Sequence, residues 1–93
     1  MTPFLHKVAL ELEQARRKHT ASINSPHEGY AVILEELDEF WEQVKCQRPD
    51  PAELLIELIQ ISAMAARTAE DCQLIDPTYD KPELVRGWLR DVQ

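Results

Sequence analysis

Apolar residues recur along the first half of the chain at the three- and four-residue intervals that draw a stripe down an α-helix. Phe4, Val8, Leu12 and Ala15 form one such stripe, and Tyr30, Ile33, Leu34, Leu37, Trp41 and Val44 form a second. From Leu54 onward the pattern changes. Leu54, Leu55, Ile56, Leu58, Ile59, Ile61, Ala63, Ala65 and Ala66 occupy most of a helical circumference, which confines Glu53, Glu57, Gln60, Arg67 and Asp71 to a stripe roughly 80° wide. A helix that is apolar on most sides is a buried helix, and carboxylates on it need a cation, a base or a water-filled cleft.

Capping chemistry marks where these helices begin. Thr2-Pro3 supplies an N-cap and a proline at the first helical position, and Ser25-Pro26-His27-Glu28 and Asp50-Pro51-Ala52-Glu53 add an acid at capping-box spacing. Asp80-Lys81-Pro82-Glu83 is a weaker version of the same signal. The pattern predicts helices over 3–18, 26–46, 51–72 and 81–91, with QLIDPTYD, residues 73–80, as the longest loop. The fold class expected is all-α: a small bundle of about four helices forming one domain over residues 1–93.

Size and charge narrow the possibilities. A chain of 93 residues buries a modest fraction of its surface, and the third helix offers more apolar girth than three neighbours cover, so an oligomer is expected. Seventeen acidic against ten basic residues leave a net charge of −7, which disfavours a nucleic acid polymer as partner because its phosphates call for a basic surface. Any phosphate ligand therefore needs a metal. Cys46 and Cys72 lie far apart with no CxxC or Cys/His cluster, which points to reduced thiols. No apolar run approaches 18 residues and the charged N-terminal segment lacks a signal-peptide core, so no membrane is implied and a cytoplasmic location is the default expectation.

Candidate chemistry concentrates in AVILEELDEFWEQV, residues 31–44, where Glu35, Glu36, Asp38, Glu39 and Glu42 crowd one helix. Like charges three or four positions apart repel by roughly 0.2–0.5 kcal/mol per pair, so the run is either a solvated face or a set of cation ligands. The short CQRPD connection makes the second and third helices antiparallel neighbours. Glu36 and Glu39 then sit one turn apart on one helix, and Glu57 and Gln60 repeat that spacing on the next. Carboxylate oxygens converging from two helices suit Mg²⁺ or Mn²⁺, hard cations that retain waters and bridge to phosphates.

At these residues the sequence resembles the MazG-like nucleotide pyrophosphohydrolases, an all-α family with an EExxE motif on one helix and ExxD on the next. The first motif is Glu35-Glu36-Leu37-Asp38-Glu39 and the second reads Glu57-Leu58-Ile59-Gln60, with the likeness spanning about residues 26–72. The resemblance implies hydrolysis of a nucleoside triphosphate between its α and β phosphates, yielding a monophosphate and pyrophosphate. It implies Mg²⁺ (or Mn²⁺) held by Glu36, Glu39, Glu57 and the residue-60 position, with Glu35 as a further ligand or water activator, and a homodimer or a homotetramer built as a dimer of dimers. Gln60 departs from the family's Asp and removes one negative charge, for which Glu53, one turn before Glu57, is a possible substitute. The alternative is a helical oligomerisation or interaction module whose metal site has weakened.

Other residues carry two readings each. Lys18, with Arg16 and Arg17, could meet substrate phosphates or could simply face the C-terminal dipole of the first helix. Arg67 is a phosphate candidate or the i−4 ion-pair partner of Asp71. Glu53 also fits a capping-box role, His27 a surface position, and Trp41 either the core or interface or a base-stacking platform.

Overall fold

The computed structural model describes residues 1–75, which form three helices: α1 (Pro3–Lys18), α2 (Pro26–Lys45) and α3 (Pro51–Asp71). These bounds match the three helix starts expected from the caps, and no strand occurs among the described residues. The helix expected over 81–91 and most of the 73–80 loop lie outside the described residues.

Each helix begins as its sequence dictates. Thr2 Oγ1 accepts from Leu5 N at 3.2 Å, Ser25 Oγ from Glu28 N at 3.2 Å and Asp50 Oδ1 from Ala52 N at 3.0 Å, with proline following each cap. Each such bond satisfies one otherwise orphaned amide and contributes about 1 kcal/mol. The reciprocal half of the capping box is altered: Glu28 reaches past Ser25 to accept from Asn24 N at 3.4 Å. α3 closes with Gln73 in the left-handed region at φ 56°, Gln73 N donating to Glu70 O and Leu74 N to Ala69 O, a Schellman ending that uses Gln where Gly is usual.

α3 is the central element and packs against both α1 and α2. Val8 and Ala15 from α1 meet Ala63 and Met64 from α3, with Phe4, Leu12, Val32, Ile33 and Ile59 packed around them. The crossing of α2 over α3 is close: Gly29 and Thr68 are both buried, and Thr68 turns its hydroxyl back to Met64 O at 2.8 Å. Gly29 lies against Thr68 while Glu36, further along α2, lies near Glu57, earlier on α3. The opposite order shows that the two helices run antiparallel, as the short connection requires.

The two helical neighbours among the described residues do not cover α3. Leu55, Ile56 and Leu58 remain 41–45% exposed, and Tyr30, Leu37 and Trp41 on α2 are 47–66% exposed. Among the described residues the expectation of a buried third helix therefore holds for its C-terminal half, around residues 63–68, and not for its first two turns. Trp41, expected in the core or at an interface, lies on the surface of the chain with Lys45 Nζ 5.8 Å from its ring centroid.

The segment linking α1 to α2 is held by α3. Ile23, 2% exposed, donates its amide to Asp71 Oδ2 at 2.9 Å, and Arg67 Nη2 donates to Ala21 O. Arg16 bridges from α1 to Asp71 Oδ1 at 2.8 Å and to Glu70 Oε1 at 2.7 Å. No helix among the described residues is long and apolar enough to cross a membrane.

Candidate metal centre

Helical spacing alone places Glu36 and Glu39 on one face of α2, and the antiparallel packing carries Glu57 of α3 opposite them. One carboxylate oxygen from each of the three lies within 4.8 Å of the other two. Crowding of this kind is repulsive unless protons or a cation intervene. Glu36 Oε2 and Glu57 Oε2 are buried with no hydrogen-bond partner among the described residues. Buried polar atoms without partners are rare, and here two of them converge from facing helices.

The electrostatics follow from that geometry. Burial and the neighbouring charge of Glu39, which also accepts a hydrogen bond from the protonated form, push the Glu36 carboxyl up to about 7, with Glu57 and Glu35 adding to the effect. Glu57 rises for the same two reasons, burial and Glu39, with a contribution from Glu53. Glu36 and Glu57 thus hold their protons more tightly than free carboxylates do, and a divalent cation would take their place. Three carboxylates, two of them with unsatisfied buried oxygens, are a suitable donor set for Mg²⁺ or Mn²⁺, which accept a few protein oxygens and fill remaining positions with water.

The trio opens into a cleft of about 830 Å³ bounded by α1, the α1–α2 connection, the first half of α2 and the middle of α3. Glu35, exposed, and Gln60, half-buried, line this cleft beside the trio. Lys18 and Arg67 line it as well, whereas Arg16, Arg17 and Glu53 do not. A smaller hollow of about 210 Å³ between α1 and α3 shares Glu11, Gln14, Ile56 and Gln60 with it.

The remaining candidates separate from the site. Glu53 is exposed and outside the trio; it acts on Glu57 through charge and makes no capping bond to Asp50. Glu42 pairs with Lys45 at 2.9 Å, and Arg17 with Glu13 at 2.6 Å. His27 is exposed. Arg67 satisfies both of its readings, since it borders the cleft and also sits with Nε 3.6 Å from Asp71 Oδ2.

Sequence reasoning missed the role of Asp71, which accepts from Ile23 N and from Arg16 and is held below the usual carboxylate range by those bonds and by the charges of Arg16 and Arg67. Ile23, the one large apolar residue in a polar connection, was the available signal that this segment is anchored. No protein-family model, no curated protein and no solved structure matches this chain.

Proposed function

We propose that the chain is a metal-dependent nucleoside triphosphate pyrophosphohydrolase, cleaving between the α and β phosphates to give a nucleoside monophosphate and pyrophosphate. The observation that carries this reading is the pair of unpartnered buried oxygens, Glu36 Oε2 and Glu57 Oε2, converging with Glu39 at the wall of a cleft large enough for a small ligand. The likeness of Glu35-Glu36-Leu37-Asp38-Glu39 and Glu57-Leu58-Ile59-Gln60 to the paired MazG motifs supports it.

In this reading Glu36, Glu39 and Glu57 hold Mg²⁺ or Mn²⁺, and the Gln60 side-chain carbonyl is a neutral fourth donor. The cation when bound neutralises phosphate charge and makes a nearby water more acidic. Glu35, which lines the cleft, would accept the proton of an attacking water. Lys18 and Arg67 meet phosphate charge that the acids alone would repel. Homodimerisation, or a homotetramer, would cover Tyr30, Leu37, Trp41, Leu55 and Leu58, whose exposure is high for large apolar side chains.

That same apolar surface favours the second reading, a helical oligomerisation or interaction module retaining a weakened acidic site. A panel of nucleoside and deoxynucleoside triphosphates assayed for pyrophosphate release with Mg²⁺ or Mn²⁺ decides between them. Release abolished by Glu57→Gln is the expected result. Absence of release from every substrate, together with no stabilisation of the fold by millimolar metal, overturns the hydrolase reading in favour of the module.

A further inference from the structure

Arg67 is an unusual cation in this molecule. Its side chain is 9% exposed, its Nη2 is committed to Ala21 O, and its Nε has no hydrogen-bond partner among the described residues. The nearest carboxylate, Asp71, lies 3.6 Å away, within electrostatic reach but beyond a hydrogen bond. Both Asp71 oxygens are already engaged, Oδ1 by Arg16 at 2.8 Å and Oδ2 by Ile23 N at 2.9 Å. A guanidinium buried this far is costly unless its donors and charge are answered, and Asp71 answers them in part.

The position of Arg67 says what would complete it. It borders the cleft that the carboxylate trio borders, ten positions beyond Glu57 on α3, or about 15 Å along the helix axis. A single phosphate at the trio would not span that gap. A chain of linked phosphates with one end at the trio extends toward Arg67.

We propose that Arg67 binds an anionic group of a polyphosphate ligand at the end of the cleft away from Glu36, Glu39 and Glu57, and that Asp71 is the positioning residue that holds its guanidinium there. Asp71 does not border the cleft. It acts by fixing Arg67 from one side and the connection through Ile23 from the other, so that Arg67 and the Ala21 carbonyl keep one geometry. The choice of polyphosphate rests on the proposed function, whereas the anion subsite rests on Arg67 and Asp71.

Calorimetric titration with inorganic tripolyphosphate, with orthophosphate as comparison and Mn²⁺ alone as a separate titrant, tests this. Wild type is expected to prefer tripolyphosphate over orthophosphate. Arg67→Gln and Asp71→Asn are each expected to weaken tripolyphosphate binding about tenfold or more, the scale of one charge-assisted contact, while Mn²⁺ affinity stays as in wild type. Should Arg67→Gln fail to fold, Arg67→Lys, which keeps the charge and loses the fork, is expected to fold and to weaken tripolyphosphate in the same direction. Unchanged tripolyphosphate affinity in the folded variants, no tripolyphosphate binding by wild type, or an equal loss of Mn²⁺ affinity in Asp71→Asn overturns the proposal. If wild type binds no Mn²⁺ yet its tripolyphosphate affinity still falls in Arg67→Gln and Asp71→Asn, the anion subsite stands and the metal reading fails.

Discussion

Gly29 on α2 and Thr68 on α3 occupy each other's space: a Cβ at residue 29 would overlap the Thr68 methyl and lie 2.7 Å from Thr68 Oγ1. The absence of a side chain at 29 is what lets the two helices approach this closely. Gly29→Ala is therefore expected to destabilise by about 1–3 kcal/mol, the overpacking cost exceeding the roughly 1 kcal/mol that Ala gains over Gly inside a helix. Urea denaturation measures it, and Thr68→Ala in the same background is expected to restore much of the loss. A gain in stability for Gly29→Ala alone would contradict the packing described.

Glu57→Gln separates a ligand from a structural acid. Removing one of three crowded carboxylates relieves repulsion in the metal-free protein, so its melting temperature is expected to stay level or rise while stabilisation by Mg²⁺ or Mn²⁺ disappears. A variant several degrees less stable without metal that still responds normally to metal would show the acid to be structural.

The raised Glu36 carboxyl makes metal-free stability depend on pH. A group at about 7 in the folded chain and near 4.5 when unfolded binds more protons folded than unfolded between those values, so its contribution falls as pH rises from about 4.5 to 7 and levels off above. Each tenfold difference in proton affinity is worth about 1.4 kcal/mol, and screening at this half-exposed position leaves about 1–2 kcal/mol across the window. Asp71 has the opposite sign: its contribution is present above the unfolded value of about 3.8 and is lost as pH falls through its lowered folded value. Thermal melts in EDTA should show stability declining from pH 5 to 7.5 in wild type, with a flatter profile in Glu36→Gln.

Gln60 tests whether the site lacks only a charge. Placing an ionised carboxylate in the half-buried residue-60 position of the cleft is expected to tighten Mn²⁺ binding by about tenfold and to raise pyrophosphate release, because charge interactions there are less screened than in bulk water. Titration calorimetry on Gln60→Asp reads the first effect and a pyrophosphate assay the second. Weaker metal binding would mean the site is adapted to the amide.

How much of this was legible beforehand depends on the range of the interactions involved. The three helix starts could be read because a cap is a contact between a residue and amides two or three positions on, and Thr2, Ser25 and Asp50 each supply one. The pairing of Glu36 with Glu39 follows from one turn of helix, and their meeting with Glu57 follows from one short antiparallel connection, so the trio too was within reach of local rules. What those rules could not show is anything set by the angle and depth at which helices cross. Glu28 caps through Asn24, Arg16 and Ile23 share Asp71 across 55 and 48 positions, and Leu55 and Leu58 stay exposed where α3 has two helical partners among the described residues and its apolar girth suggests more. Periodicity and capping are properties of neighbours along the chain. Which buried oxygen lacks a partner, and which cation is left half-answered beside a cleft, is decided only when distant segments compete for the same space.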